Sequence, residues 1–511
     1  MDAPDSPQRK RELFWVLAAV LLGWGAFFPS LFNGFVYDDH NFIVNNPAIR
    51  DWGNLWPLIS TTAAHSGLGE NTPPTMWRPL RNIAFLIDHS IAGYWAPWWH
   101  AMNLLWHGIA VAGVYVLARR LGLRALGAFI AAALFAIHPV QTESVVWVKE
   151  RDGLMSTAMI LWGIVFGLGR SWKGAAGGAF LGAAAILTKE SGVTFPPLML
   201  LAGGAFALRN RPGKDFVKRI AILIAVTAAL AIVFIALRDI VLGGTSQIQG
   251  RLGGSLAADL WTDGEVFARY LGLIAWPSKM ELVYAHIGPR EGGPWLKVLG
   301  FALLAATLAG AVWAAVRRRW IVVLGIGWFL VALLPVSNLV PTMQWMAVRF
   351  LYLPLAGVAL MAGLAFQAAW DRAVIAPRLL GVVAGAVLTA LFVVSFVQTF
   401  AWRDDMTLWR TAYLTSPHSR EVRVNYATYL AGENRWVEVL GVLQDYPFDD
   451  VTYERVVDER AFALYGAGLV AAGQPEAARA HLRQGLETYP GSPMIGRVIE
   501  QTRKAGSQIQ E

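Results

Sequence analysis

The sequence predicts an all-α, polytopic membrane protein with a smaller helical domain at its C-terminal end. Three observations carry this. Apolar runs of about twenty residues, the length a helix needs to cross a hydrocarbon core, recur along most of the chain. Hydrophobic residues make up 56% of the 511 positions and charged ones only 15%, with a mean hydropathy of +0.45, far from a soluble domain of this size. From residue 404 onward the composition turns charged and repeat-like instead.

Taken in order, spanning helices are expected near 13–31, 100–118, 125–138, 153–169, 174–188, 192–208, 219–237, 296–316, 320–336, 350–369 and 379–400, about eleven in all. The run at 125–138 is short, and 266–277 fits a further interfacial or re-entrant segment. The opening "MDAPDSPQRKRELFWVLAAVLLGWGAFFP" has a basic flank before its apolar run and no convincing small-x-small cleavage site, which predicts a retained anchor. "GIVFG" at Gly163–Gly167 and "GAFLG" at Gly178–Gly182 set small residues four apart, the spacing of close helix packing. The 23 Trp and 13 Tyr suit membrane interfaces, where one end of the side chain is wet.

Sidedness follows from the basic residues. Arg9–Arg11, Arg119, Arg120, Arg124, Arg170, Lys173, the cluster Arg209–Arg219, Arg317–Arg319, Arg372 and Arg378 all fall on one side of an eleven-span chain. The net charge of +8 is therefore read as a topology signal with the N-terminus cytoplasmic, and no nucleic-acid partner is expected. The opposite side receives the long loops 32–99 and 238–295 and everything beyond the last span. The expected division is a transmembrane domain over 1–403 and an extracytoplasmic domain over 404–511. In the latter, "YGAGLVAAGQPEAARAHLRQGLETYP" places Gly466, Gly473, Ala478, Leu482 and Pro490 at tetratricopeptide-repeat spacing, and "VNYATYLAGENRWVEVLGVLQDYP" reads as a shortened neighbour. No cysteine is present, which excludes disulfides, thiolate zinc sites and a thiol nucleophile.

The unusual polar residues gather on the outer side. They are Asp38 and Asp39 after the first span; Arg78 in "WRPLRNIAFLIDHS"; His100, Asn103 and His107 in "HAMNLLWHG"; His138, Gln141, Glu143, Lys149, Glu150, Arg151 and Asp152 in "HPVQTESVVWVKERD"; Lys189 and Glu190 in "TKES"; and Arg349 and Tyr352 in "WMAVRFLYLP". Ionisable groups at a membrane boundary are costly unless paired or hydrated, so convergent ones are functional candidates. A carboxylate can take a proton from an acceptor hydroxyl, while Arg and Lys hold a leaving phosphate. Plainer readings stand beside these. The acid pair also fits a solvated helix end, and His138–Pro139 the end of a span. Lys189 and Arg349 also fit snorkelling anchors. His100, Asn103 and His107, at i, i+3 and i+7, fit a hydrogen-bonded seam between helices better than a metal site. No GxxxxGK[ST] loop is present, which weighs against an ATP-driven pump.

The motifs "VYDDHNFIVNNP", "WRPLRNIAFLID", "HAMNLLWHG", "HPVQTESVVWVKER", "LTKESGVTFP", "RYLGLIAWPSKM", "VRFLYLPLAG" and "WRDDMTLWRTAYLTSP", followed by the repeats, span almost the whole chain. In that order they resemble the transmembrane-and-tetratricopeptide-repeat family of O-mannosyltransferases, in particular its bacterial relatives, and through it the GT-C class of polytopic glycosyltransferases. The resemblance implies transfer of a sugar, mannose-like, from a polyprenyl-phosphate carrier to a hydroxyl acceptor on the extracytoplasmic face of a bacterial inner membrane. It places the acid pair of the first outer loop on Asp38 and Asp39. The sequence departs from the family pattern at Gln141, where a second histidine is common, at Gly153, where an aspartate is usual, and at Val348, where an acid precedes the arginine.

The resulting expectation is an inverting transferase, since a single displacement needs one base and no covalent nucleophile. Asp38 is the expected base, and Asp39 orients it or supports a divalent metal, the one cofactor considered. Arg78, Lys149, Arg151, Lys189 and Arg349 are expected at the donor phosphate, with His100, His138, Glu143, Glu190 and Tyr352 completing the substrate-binding set. The expected partners are the bilayer, a polyprenyl-phosphate-linked sugar and a protein or glycan acceptor. The rivals are a non-catalytic scaffold that binds partners through its repeats, and a lipid-glycan flippase or transporter, which would carry its ionisable groups near the midplane.

Overall fold

The computed structural model describes residues 6–61, 76–243, 250–278, 280–339, 342, 344–374, 376–448 and 455–508. Parts of the two long loops expected at 32–99 and 238–295, namely 62–75, 244–249 and residue 279, lie outside the described residues. Among the described residues the regular structure is entirely helical. The chain divides into two compact units, one of Met1–Met280 with Ile287–Arg403 and one of Glu281–His286 with Asp404–Glu511.

The first unit contains α1 (Ser6–Phe27), α2 (Leu55–Ser60), α3 (Pro79–Ala92), α4 (Ala96–Arg120), α5 (Ala125–Ile137), α6 (Thr142–Val146), α7 (Arg151–Gly167) and α8 (Trp172–Thr188). It continues through α9 (Phe195–Asn210), α10 (Lys214–Val241), α11 (Leu256–Ala275), α12 (Pro294–Val316), α13 (Trp320–Leu333), α14 (Pro354–Asp371) and α15 (Pro377–Thr399). Proline opens α3, α12, α14 and α15 at the first position, where its missing N–H has no intrahelical partner to lose.

A helix stands at each of the eleven expected spans, but they are not equivalent. Six helical stretches are long and apolar enough to cross a membrane by themselves, namely Gln8–Phe32, Ala96–Arg120, Glu190–Asn210, Lys214–Val241, Pro294–Val316 and Pro377–Trp402. The bent pair Ala125–Ile137 and Pro139–Val146 would make a seventh. The chain is thus a multi-pass membrane protein with fewer self-sufficient spans than hydropathy alone predicts. The reason is visible in α7 and α8, each only 17 residues long. Their glycines let them pack so closely that a Cβ on Gly178 would lie 2.8 Å from the Gly163 carbonyl oxygen. Helix α7 buries most of its surface in protein rather than lipid, whereas α8 keeps Trp172 and Phe180 exposed on its other face. The segment expected at 266–277 is the second half of α11 rather than a separate element.

Two breaks bring the polar loops together. After α5 the chain turns at His138–Pro139, bending by 52° into Pro139–Val146, and then runs through the buried turn Val148–Glu150 into α7. After α1, Tyr37 adopts a left-handed backbone with φ of 54°, which costs a bulky residue about 1–2 kcal/mol. Its ring stacks on Trp147 at 5.2 Å between centroids and 20° between planes. A core of Phe42, Ile43, Ile49, Leu58, Phe85, Leu86, Trp99 and Val148 fixes this first loop against α3, α4 and the turn at Val148. Each such buried side chain contributes about 1.5–3 kcal/mol.

The second unit contains α16 (Asp405–Thr415), α17 (Arg420–Gly432), α18 (Trp436–Leu443), α19 (Arg455–Ala471), α20 (Pro475–Thr488) and α21 (Pro493–Gln508). Helices α19 and α20 meet where Gly466 faces Leu482 with no room for a side chain between them, and Gly485 does the same against Phe462. Gly473 turns between them with φ of +74°. Phe462, Leu482, Tyr489 and Ile495 form the local core. Asp458 is buried there and accepts hydrogen bonds from the hydroxyls of Tyr446 and Tyr489, with Arg420 Nη1 at 3.4 Å. Nothing in its composition marks 281–286 as part of this unit, but Ser416 Oγ donates to Glu281 at 2.8 Å and Tyr284 is buried.

Candidate functional site

The first unit holds a chain of ion pairs contributed by six separate segments. Lys149 Nζ lies 3.8 Å from Asp38 Oδ2 and 3.0 Å from Glu150 Oε1. Lys189 Nζ lies 2.7 Å from Glu150 Oε2 and 3.0 Å from Asp152 Oδ1. Arg78 joins Asp152 at 2.6 Å to Glu190 at 2.8 Å, and Arg238 approaches Glu190 at 3.7 Å. On the other flank Arg349 pairs with Glu143 through its guanidinium and its backbone N–H, donates to Gln344 at 2.6 Å, and reaches Glu150 at 3.6 Å. Trp147 lies beneath two of these cations, with Lys149 Nζ 4.6 Å and the Arg349 guanidinium 5.4 Å from its ring.

The cluster is layered. Glu150 and Asp152, at 2% and 0% exposure, are sealed, whereas Arg349, Arg78 and Lys189 keep 11–15% and Asp38 keeps 28%. The buried acids hold the cations, and the cations form the accessible face. Burial alone would push Glu150 toward its neutral form, but Lys189, Lys149 and Arg349 hold its carboxyl well below the usual carboxylate range. Among the described residues six cations (Arg78, Arg81, Lys149, Lys189, Arg238 and Arg349) meet five carboxylates (Asp38, Glu143, Glu150, Asp152 and Glu190) in this network. Cations that keep an accessible edge suit an anionic ligand. Removing one partner of a buried pair costs about 3–5 kcal/mol, so the network also fixes the geometry of its loops.

The two adjacent acids have different surroundings. Asp39 is fully buried, accepting Val36 N–H at 3.1 Å and Lys149 N–H at 2.8 Å. It ties the first loop to the turn before α7, and burial raises its pKa to about 7. Asp38 is the open member, beside Lys149. With both Asp39 oxygens taken by backbone amides, that carboxylate does not fit a metal ligand. Among the described residues no three His, Asp or Glu side chains converge as a metal-binding set.

Of the residues singled out in the sequence, Asp38, Arg78, Glu143, Lys149, Lys189, Glu190 and Arg349 are brought together, and four others are not. Arg151 is 1% exposed and is consumed by Asp88, by Asn103 Oδ1 at 2.9 Å and by the Trp99 carbonyl at 2.6 Å, so it braces α4 against α7 and is closed to a phosphate. His100 and His138 contact the carbonyls of Gly34 at 3.4 Å and Ile274 at 3.0 Å. Tyr352 OH meets His107 Nδ1 at 2.8 Å, inside the protein. Sequence reasoning assigned no role to Glu150 and Asp152, although both were in view, and it missed Arg238, Tyr37 and Trp147. Arg238 had a readable signal, as a lone arginine in the last turn of an apolar helix.

No family model matches the chain. Among curated proteins it is similar to human protein O-mannosyl-transferase TMTC4, with 26% identity over 456 residues, covering 78% of this chain and 61% of that one. It is likewise similar to TMTC protein O-mannosyl-transferases from human, mouse and fly. The chain spans less than two thirds of the length of these relatives, 23% of human TMTC1 and 64% of mouse TMTC4. Among solved structures it is similar to the archaeal oligosaccharyltransferase AglB from Archaeoglobus fulgidus in complex with an inhibitory peptide and a dolichol-phosphate, at a TM-score of 0.45 and 16% identity over 86% of this chain and 60% of that one. It is also similar to ArnT from Cupriavidus metallidurans bound to undecaprenyl phosphate, at a TM-score of 0.42 and 12% identity over 96% and 77% of the two chains.

Proposed function

We propose that this homologue of the TMTC protein O-mannosyl-transferases is a membrane glycosyltransferase that moves a sugar, mannose-like, from a polyprenyl-phosphate carrier to a hydroxyl, with protein Ser/Thr as the acceptor. The observation that carries the reading is the layered cluster, a cationic rim of Arg78, Lys149, Lys189 and Arg349 over sealed carboxylates, with two open carboxylates at its edge, Glu190, held by Arg78 at 2.8 Å, and Asp38, which stands 3.8 Å from Lys149. The reaction sits on the extracytoplasmic face of a bacterial inner membrane, with the N-terminus cytoplasmic and the second unit outside.

The residues divide the work as follows. Asp38 accepts the proton of the acceptor hydroxyl as its oxygen forms a bond to the anomeric carbon. The bond from that carbon to the phosphate oxygen breaks, and the electron pair leaves with the polyprenyl phosphate. The rim neutralises the charge that develops on the leaving oxygen. Asp39 does not touch the reactants; it holds the loop that carries Asp38. One displacement inverts the anomeric centre. Purified protein offered a panel of polyprenyl-phosphate sugars with a Ser/Thr peptide should transfer one of them and release the carrier phosphate. Absence of transfer from every member, by protein that is folded and binds the carriers, would remove the assignment.

A further inference from the structure

Lys189 is a rim cation with hydrogen-bonding capacity to spare. An ammonium has three N–H donors. One is given to Glu150 Oε2 at 2.7 Å, and Asp152 Oδ1 stands at 3.0 Å as an ion partner. Among the described residues no third acceptor meets it, and its side chain keeps 15% of its surface open. Beside the ammonium lies Gly153, in the first turn of α7 and itself partly exposed. A Cβ built there would lie 3.2 Å from Lys189 Nζ and 3.7 Å from Glu150 Oε2, with no other atom within 4 Å. Its backbone does not explain the glycine, since the residue sits in regular helix without a positive φ. Glycine there is unfavourable for the helix compared with any ordinary residue. The side chain is missing where it would otherwise cover the ammonium.

We infer that Gly153 is a specificity-determining residue that leaves the third N–H of Lys189 open to a phosphate oxygen of the carrier. This rests on the proposed role of the cationic rim. The ligand chemistry is a phosphate monoester or diester anion approaching past the Gly153 Cα. A methyl at 153 would displace the ammonium by a few tenths of an ångström from Glu150 and Asp152 and cover its open side.

The test measures binding of undecaprenyl phosphate, and separately of inorganic phosphate, to the full-length protein in detergent, together with its melting temperature. Gly153→Ala should melt at the same temperature or higher, because alanine favours the helix, and should bind undecaprenyl phosphate about tenfold more weakly, as expected for a lost charge-assisted hydrogen bond. Loss for the lipid but not for inorganic phosphate assigns the opening to the lipid carrier, and equal loss for both assigns it to phosphate as such; either supports the inference. Unchanged binding by Gly153→Ala while Lys189→Gln binds poorly would overturn the role of Gly153 and leave the rim reading intact. Unchanged binding by Lys189→Gln would overturn both. Loss of binding together with a lowered melting temperature in Gly153→Ala would show a packing role and overturn the inference.

Discussion

Replacing Asp39 by asparagine separates the charge of this side chain from its shape. In the fold its carboxylate is fully buried and held by the amides of Val36 and Lys149. Burial raises its pKa from 3.8 to about 7 against the pull of those two amides. Between these values the folded protein keeps a proton that the unfolded chain has released. Stability therefore falls as pH rises from about 4 to about 7, because the folded state binds more protons. A displacement of about three pKa units corresponds to about 4 kcal/mol across that window, taken as an upper bound. Asparagine cannot ionise, and it forfeits one of the two amide hydrogen bonds at every pH, at a cost of about 1–3 kcal/mol. The variant should thus melt below the parent at pH 5, and the gap should close or reverse by pH 8. Thermal unfolding of both proteins at pH 5, 6.5 and 8 isolates the effect, since every other titrating group is shared. Parallel pH profiles would refute the reasoning, showing that Asp39 keeps one charge state throughout.

The remaining predictions concern the rim, the second unit and the topology. Arg349→Ala removes the cation shared by Glu143, Gln344 and Glu150; carrier binding should weaken about tenfold or more, and normal affinity in a titration would exclude this arginine from the phosphate site. Gly466→Ala places a methyl into Leu482 and should destabilise the second unit by about 1–3 kcal/mol, read as faster proteolysis of residues 404–511 within the full-length protein; parental resistance would show that the helix pair tolerates separation. Reporter fusions after Arg120, Arg211 and Arg319 should score cytoplasmic and a fusion after Gly432 external, and a cytoplasmic Gly432 would place the second unit on the face opposite to the proposed chemistry.

Much of the fold is legible because hydropathy reports on lipid directly. The runs that became α10, α12 and α15 carry long apolar windows with most of their surface exposed, so composition and environment agree. Helices α5, α7, α8 and α13 read the same way by hydropathy but are too short to cross by themselves, and neighbours cover most of α5 and α7. A one-dimensional scale does not separate protein-facing from lipid-facing apolar surface. At the site, residue type was informative where charge had to be paired, which is why the segments carrying Arg78, Glu143, Lys149, Lys189 and Arg349 converge. It failed where the partner decides the role. Arg151 and Lys149 are two positions apart and equally basic, yet the α7 start turns Arg151 inward onto Asp88 and leaves Lys149 beside Asp38. The same applies to the adjacent acids, since only the fold shows that Asp39 is spent on backbone amides. Gly153 stood out in the sequence as a departure from the family pattern, and the geometry around Lys189 gives that departure a physical content.

The central claim is that an open carboxylate at the edge of a cationic rim takes the acceptor proton, and the measurement that tests it most directly is turnover by Asp38→Asn. Asparagine keeps the size and hydrogen-bonding atoms but removes the proton-accepting charge. A positioned base contributes about 10²–10⁴-fold, so turnover should fall within that range while undecaprenyl phosphate still binds and the melting temperature holds. Near-normal turnover by a folded, carrier-binding Asp38→Asn protein would contradict the account and return the acid pair to a solvated end of the first span.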